Sequence, residues 1–274
     1  MSVQNQRLID YCRSGRKKVN GWFARNDAEL FLRILDLQQE LGVSGSAVEI
    51  GVHHGKSFVP LCLALAGGEK ALCIDIFDDQ SLNVDNSGQG NRAVFEANLG
   101  AFGIDSAKVI IRKASSLDVK PQEITDAVGP VRFFSVDGGH WHDIVINDLD
   151  LAAATLAEGG VIALDDFLKQ AWPDVSYGFF DWHREKGQDF APIAMGTSKL
   201  YLARKSFAQK YLDGLMASPE IRARIYKVYD FMGVKVPVLI EPYPAFVIAA
   251  KNKLAESNGE LLDRLLALKR RYMS

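Results

Sequence analysis

Glu49-Ile50-Gly51-Val52-His53-His54-Gly55-Lys56-Ser57 joins two apolar runs of this chain. The run before it, at 47–50, predicts a short buried strand, and the run after it, at 58–66, predicts a helix. Gly51 permits a tight turn. Gly55 lets a ligand approach the backbone where the helix begins, and the N-terminus of that helix offers unpaired N–H groups. The stretch therefore predicts a ligand-binding turn between a strand and a helix.

Strand and helix patterns alternate along the chain beyond this turn. Further strand patterns lie at 71–75, 109–111, 131–136 and 161–164, with helical patterns at 92–99 and 144–156. Such alternation predicts right-handed crossovers and an α/β fold, with a doubly wound, mostly parallel sheet and helices on both faces. Weaker strand patterns at 191–195 and 199–203 bring the expected sheet to seven strands.

Helical patterns flank the alternating region. Asn26 and Asp27 are placed to cap a helix before the first strand. Beyond residue 205, helical patterns cover 207–216 and 221–232, and Ser257-Asn258-Gly259-Glu260 has capping-box spacing before a last helix. We therefore predict an N-terminal helical segment at 1–44, a ligand-binding domain at 45–204 and a helical C-terminal extension at 205–274.

Composition excludes several classes of protein. A net charge of −2 over 274 residues gives no electrostatic reason to expect nucleic acid or an anionic membrane surface as a partner. Three cysteines without CxxC spacing argue against a disulfide framework and a thiolate zinc site. No apolar stretch approaches the ~20 residues of a membrane span, and no secretory signal is visible. We expect a cytoplasmic protein with a small-molecule partner, and the sequence leaves a homo-oligomer open.

Most of the predicted strands carry an acid at or next to their carboxyl ends: Glu49, Asp75, Asp137, Asp165 and Asp166. Ligands of such sheets bind in the crevice beyond these ends, so we expect the acids to converge there. Three carboxylates in proximity repel one another unless they are protonated or bind a cation. Oxygen ligands without thiolates suit Mg²⁺ or Ca²⁺. The pattern therefore favours a metal site formed by Asp137, Asp165 and Asp166, although the Asp165-Asp166 pair also suits a capped turn.

The acid-x-Gly-x-x-x-Gly pattern of the turn resembles the first motif of the class I S-adenosylmethionine-dependent methyltransferases. The loop Asp137-Gly138-Gly139-His140, followed by Gly159-Gly160 and then Asp165-Asp166, is similar to the branch that includes the macrocin O-methyltransferases. The resemblance covers roughly residues 45–170. It implies a Rossmann-like fold and methyl transfer to a hydroxyl of a small acceptor, a sugar in that branch, with a divalent ion that is usually magnesium.

The resemblance also implies where S-adenosylmethionine binds. The backbone near Gly51 and Gly55 would contact its methionine part, Glu49 would hold that region, and Asp75 would accept from the ribose hydroxyls. The full set of cofactor-binding residues assigned in this way is Glu49, Gly51, His53, Gly55, Ser57, Asp75, Ser115 and Asp137.

Two residues are assigned to catalysis, His140 and Asp137. An imidazole has the basicity needed to take a proton from an acceptor hydroxyl near neutral pH. His140 is equally suited to orienting its loop or binding the cofactor's carboxylate, and His142 is an alternative base in the same loop. In many relatives a second acid follows Asp137 two residues later. Here that position is Gly139, which weakens the expectation of an identical metal geometry.

Two other functions remain open at this point. One is a nucleotide (NAD)-dependent oxidoreductase, whose Gly-x-Gly-x-x-Gly pattern is incomplete in this turn. The other is a non-catalytic protein that binds S-adenosylmethionine without turning it over.

Overall fold

The computed structural model describes residues 3–240, and the expected last helix after Ser257 lies outside the described residues. The helices are α1 (Val3–Arg13), α2 (Arg25–Glu40), α3 (Phe58–Leu63), α4 (Arg92–Ala101), α5 (Pro121–Val128), α6 (His142–Thr155), α7 (Pro173–Glu185), α8 (Lys205–Ala217) and α9 (Pro219–Arg222). The strands are β1 (Ser46–Ile50), β2 (Ala71–Asp75), β3 (Val109–Lys113), β4 (Val131–Val136), β5 (Leu156–Leu164), β6 (Phe190–Met195), β7 (Leu200–Arg204), β8 (Ile225–Phe231) and β9 (Val234–Leu239).

One sheet contains all of these strands, in the order β3-β2-β1-β4-β5-β7-β6-β9-β8. The five strands β3, β2, β1, β4 and β5 run parallel to one another. In contrast, β7 runs antiparallel to both β5 and β6. This arrangement confirms the predicted Rossmann-like, mostly parallel sheet. It contains nine strands rather than the expected seven, because β9 adds to the edge of β6 and carries β8 with it.

The hairpin of β8 and β9 corrects the prediction of a helix at 221–232. Only the short α9 is helical there, and the chain turns between the strands at Met232 and Gly233, which both have positive φ (54° and 75°). Two positive φ values at adjacent residues are typical of a two-residue hairpin turn. The strand was misread because β8 is exposed along most of its length, so the two-residue alternation of a half-buried strand is missing.

The start of α2 also differs from its prediction. The helix begins at Arg25, and Asn26 and Asp27 lie buried within its first turn instead of capping it. Asp27 accepts hydrogen bonds from the Ser198 N–H (3.3 Å) and the Tyr201 hydroxyl (3.1 Å). These contacts bind the N-terminus of α2 to the turn between β6 and β7, beside the carboxyl ends of the parallel strands.

Apolar side chains cover both faces of the sheet. Because neighbouring side chains of a strand point to opposite faces, Phe133 belongs to one core cluster and Phe134 to the other. On the first face the Phe133 ring packs against Phe31 of α2, with 4.7 Å between ring centroids. Complete burial of β1, β2 and β4 leaves the carboxyl ends of these strands as the place where polar groups can meet a ligand.

Two further features concern the described part of the chain. Cys12, Cys62 and Cys73 are buried and unpaired. No helix within residues 3–240 combines the length and apolar character needed to cross a membrane.

We expect the Phe133→Ala variant to lose about 3–5 kcal/mol of unfolding free energy, because it leaves a cavity in the middle of the sheet. Chemical denaturation of the variant and the wild type measures this loss. Tyr226→Ala is the matched control, since this side chain is 66% exposed and its removal should change the free energy by less than about 0.5 kcal/mol. Equal effects of the two substitutions would contradict the central packing of Phe133.

Candidate active site

The glycine turn lies directly against the residue that follows β4. Gly51 has a φ of 78°, and a Cβ atom at this position would lie 1.7 Å from the carbonyl oxygen of Asp137. Gly55 has a φ of 86° and faces the ring of Phe95, which would lie 3.0 Å from an added Cβ. Both positions therefore exclude a side chain, and the contact at Gly51 joins the predicted cofactor turn to the predicted acidic site.

Asp75, at the end of β2, organises the same turn. Its Oδ2 accepts hydrogen bonds from the N–H groups of Val52 (2.7 Å) and His53 (2.8 Å), and its Oδ1 accepts one from Phe77 (2.5 Å). Burial raises the pKa of this carboxyl group, and the three backbone N–H groups oppose that effect. Asp75 thus holds the turn in shape at the position where a cofactor ribose was expected.

The other predicted cofactor residues lie around the turn with different surroundings. Glu49 is completely buried; its Oε1 accepts from the Ser135 hydroxyl (2.8 Å), its Oε2 has no partner, and burial raises its pKa to about 7. Ser57 is buried directly before α3. The Ser115 hydroxyl, just after β3, accepts from the Leu117 N–H.

The acids at the ends of β4 and β5 surround one buried cation, Lys199. Its Nζ lies 2.8 Å from Asp165 Oδ2 and 3.4 Å from Asp137 Oδ2, and its side chain is almost completely buried. The Ser198 hydroxyl also donates to Asp165 at 2.5 Å. The structure therefore separates Asp165 from its neighbour Asp166, because Asp165 is already bonded to Lys199 and Ser198.

The carboxyl groups of Asp137 and Asp165 differ in proton affinity. Burial and the Asp165 charge raise the pKa of Asp137 well above its ordinary value, although Lys199 opposes the shift. Burial also disfavours ionisation of Asp165, but Lys199 and the hydrogen bonds to Asp165 outweigh it and hold its pKa below the ordinary range.

His140 lies between two carboxylates. Its Nδ1 is 2.7 Å from Asp85 Oδ2, its Nε2 is 2.8 Å from Asp166 Oδ2, and its ring stacks on Trp172 with centroids 4.1 Å apart. Burial by itself would lower the pKa of His140, but the hydrogen bonds to Asp166 and Asp85 outweigh it and raise the pKa to about 9. The ring is therefore an imidazolium near neutral pH in this arrangement.

The donor set fits a divalent cation. One ligand atom from each of Asp137, His140 and Asp166 lies within 4.8 Å of the others. Two carboxylates and an imidazole suit a hard or borderline divalent ion, and no thiolate takes part. Of the predicted trio, Asp137 and Asp166 come together here, whereas Asp165 lies beside them as the partner of Lys199.

The turn after β5 has an unusual backbone. Asp166 and Leu168 are not glycines, yet both have positive φ (57° and 59°). Residues in this region cost about 1–3 kcal/mol each and often mark functional sites. Here the conformation directs Asp166 to His140 and leaves the side chain of Leu168 62% exposed.

The remaining histidines have other neighbours. His53 and His54 stack on each other with centroids 3.8 Å apart, and burial lowers the pKa of His53 to about 4. His142 bonds to Asp143 and Asp181 on α6 and α7, so it faces away from the acids that surround His140. His183 contacts the Phe190 carbonyl.

The sequence did not single out two residues of this site, Lys199 and Asp85. A signal existed for Lys199, because it is the one charged residue at the start of an otherwise apolar strand pattern at 199–203. Asp85 stands in a polar loop with other acids, and nothing in the sequence separates it from Asp78 or Asp79.

Three solved structures with a similar fold are distant from this chain in sequence. The O-methyltransferase NovP is 13% identical, with a TM-score of 0.59 over 73% of this chain and 97% of its own. TomG, an O-methyltransferase from Streptomyces achromogenes involved in tomaymycin synthesis, is 17% identical, with a TM-score of 0.50 over 74% and 90%. An O-methyltransferase from Bacillus cereus is 13% identical, with the same TM-score and coverage. At these identities the likeness concerns the fold.

Residues 48–167 match a family model described as a methyltransferase domain. This region of the chain is a methyltransferase domain. The matched region begins in β1 and ends just after Asp166, so it contains the glycine turn and the acidic cluster. Comparison with curated protein sequences gives no match.

The raised pKa of His140 predicts that the metal-free protein loses stability as the pH rises. The unfolded pKa is about 6.5 and the folded pKa about 9, so this contribution is complete below about pH 6.5 and is lost towards pH 9. It amounts to about 3 kcal/mol. In denaturation with EDTA present, His140→Gln should be less stable than the wild type at about pH 6, and the difference should shrink by about pH 9.5. A difference independent of pH would contradict this assignment.

Proposed function

We propose that this methyltransferase uses S-adenosylmethionine to methylate a hydroxyl group of a small acceptor, a sugar or glycan component, with the help of Mg²⁺. The direct contact between Gly51 and the carbonyl of Asp137 carries this proposal. It brings the turn suited to the methyl donor and the acidic site suited to the acceptor to one edge of the sheet. A donor and an acceptor held at that edge lie close enough for in-line attack.

The glycine turn is the proposed binding site of the methyl donor. The TomG structure holds S-adenosylmethionine and the Bacillus cereus enzyme holds S-adenosylhomocysteine. In this chain the backbone at Gly51 and Gly55 would contact the methionine part, and Asp75 would accept from the ribose hydroxyls. The unpartnered Oε2 of Glu49 is a buried acceptor near the turn. We propose that His53, Ser57, Ser115 and Asp137 complete this site.

Asp137 and Asp166 are the residues that would hold a divalent cation, and the Nε2 atom of His140, beside Asp166, would face the bound acceptor. Asp165, which the sequence placed among the ligands, would act with Lys199 in orienting Asp137. When bound, Mg²⁺ would favour the alkoxide form of the acceptor and offset the Asp166 charge that keeps His140 protonated.

His140 is the proposed proton acceptor. The acceptor oxygen forms a bond to the methyl carbon, the bond from that carbon to the sulfonium sulfur breaks, and S-adenosylhomocysteine leaves. The hydroxyl proton passes to the Nε2 atom of His140, which requires the neutral ring. Most of the rate gain would come from holding the two reactants in line.

Aromatic side chains next to His140 favour a sugar acceptor. The Trp141 side chain is 51% exposed, and Trp172 already lies flat against the imidazole. A sugar can place its C–H face on an exposed indole ring while two neighbouring hydroxyls reach the carboxylates of Asp137 and Asp166.

Methyl transfer from radiolabelled S-adenosylmethionine tests the reaction, with a panel of glycosides that carry vicinal hydroxyls and matching deoxy-glycosides. We expect methyl transfer only to the glycosides that carry vicinal hydroxyls. The transfer rate should fall at least about 100-fold in Asp166→Asn or in excess EDTA. Asp126→Asn is the matched control, because Asp126 is exposed on α5 and bonds only to Gln122 in the described structure. Full activity in excess EDTA would remove the metal from the proposal.

The choice of cofactor has a separate test that needs no acceptor. S-adenosylhomocysteine should raise the melting temperature of the wild type, and NAD should not, because only a ligand of the folded state stabilises it. Gly51→Ala should abolish the shift, since its Cβ would overlap the Asp137 carbonyl. Gly100→Ala, in α4 with no atom within 4 Å of the added Cβ, is the control. Stabilisation by NAD alone would favour the oxidoreductase alternative.

A further inference from the structure

The loop between β2 and α4 spans the glycine turn. Near its start the Phe77 N–H donates to Asp75 Oδ1, and near its end Gly90 packs against the same oxygen, which would lie 3.3 Å from an added Cβ. Between these points Gly88 lies against His53, whose ring carbon would be 3.7 Å from an added Cβ. Both ends of the loop thus lie against Asp75, and Gly88 lies against the predicted cofactor turn.

The tip of this loop reaches the acidic side of the site through Asp85. A single oxygen, Asp85 Oδ2, accepts from the His140 backbone N–H (2.8 Å) and lies 2.7 Å from His140 Nδ1. The other oxygen, Oδ1, accepts from the Ser87 N–H at 2.8 Å. The Asp85 side chain is only 4% exposed. Both the backbone N–H and the ring of His140 contact the Asp85 carboxylate, so Asp85 is placed to orient this residue.

We propose that Asp85 is a positioning residue that fixes the ring orientation and tautomer of His140, so that Nε2 faces Asp166 and the acceptor. This role rests on the proposed function, in which His140 takes the acceptor proton. Asp85 itself touches neither the acceptor nor the methyl donor in this assignment.

The hydrogen-bond inventory of a carboxylate supports this role. An ionised carboxylate only accepts, so the ring nitrogen beside Asp85 must carry a hydrogen atom. Asp166 faces the other nitrogen, but Lys169 Nζ, 2.5 Å from Asp166 Oδ1, offsets its charge. The neutral ring therefore keeps its hydrogen on the Asp85 side and carries its lone pair on Nε2, the nitrogen 2.8 Å from Asp166. Stacking on Trp172, with an angle of 11° between the planes, fixes the remaining freedom of the ring.

The loop also connects this positioning to the donor site. In the same conformation Asp85 contacts His140 and Gly88 lies against His53, so one loop contacts both the proposed proton acceptor and the proposed donor turn.

Steady-state kinetics of Asp85→Ala and Asp85→Asn, with Asp78→Asn as control, test the proposal. Asp78 is an exposed residue of the same loop whose partner is Lys113. We expect Asp85→Ala to lower kcat by about 10²–10⁴-fold with KM values changed less than about threefold. Asp85→Asn should lose less, because its amide oxygen can still accept from both His140 donors. The Asp78→Asn variant should match the wild type.

A spectroscopic measurement separates this proposal from the proposed function, because it needs no acceptor. In protein with ¹⁵N-labelled histidine, at a pH where the ring is neutral, wild-type His140 should carry its hydrogen on Nδ1. In Asp85→Ala we expect a substantial share of the Nε2–H tautomer. An unchanged tautomer in Asp85→Ala, or an unchanged kcat while Asp166→Asn is inactive, would overturn the role of Asp85. If the wild type transfers no methyl group but the tautomer changes as expected, the proposed function fails and the positioning by Asp85 stands.

Discussion

The buried ammonium group of Lys199 lies between Asp165 and Asp137 at the carboxyl ends of β4 and β5. Two carboxylates held together in a protein interior repel each other and lose their hydration, so an arrangement without an opposite charge would be strongly destabilised. Lys199 supplies that charge from the turn before β7. The position of β7, antiparallel between β5 and β6, is therefore tied to the chemistry of the site as well as to the packing of the sheet.

This arrangement of charges gives the acids of the site different roles. Asp165 is bonded to Lys199 and Ser198, which leaves Asp137 and Asp166 to face His140 and any ligand. Neighbours in sequence thus have different surroundings, because the strained backbone at Asp166 directs its side chain away from that of Asp165. A carboxylate pair that looks equivalent in the sequence has different partners in the structure: Asp165 pairs with Lys199, and Asp166 pairs with Lys169 and His140.

His140 links the two halves of the site. Asp166 belongs to the acidic side, and Asp85 belongs to the loop that crosses the glycine turn, so the imidazole contacts elements from both. Gly51 makes the second link, because its missing side chain lets the turn touch the Asp137 carbonyl. Both contacts lie at the carboxyl ends of the strands, where a parallel sheet brings together segments that are distant in the sequence.

The sequence alone determined the alternating strands and helices, the glycine turn and the acids at the strand ends, because burial and backbone conformation impose local patterns on residue types. The prediction from sequence was wrong for β8, because an exposed strand lacks the alternation of apolar and polar residues. It was also wrong for the first turn of α2, where contacts with a distant turn bury Asn26 and Asp27. Only the tertiary structure decided which residue each acid pairs with. The partners of Asp165 and His140 are Lys199 and Asp85, which lie 34 and 55 positions away in the chain, and hydrogen bonds over such separations leave no periodic signal.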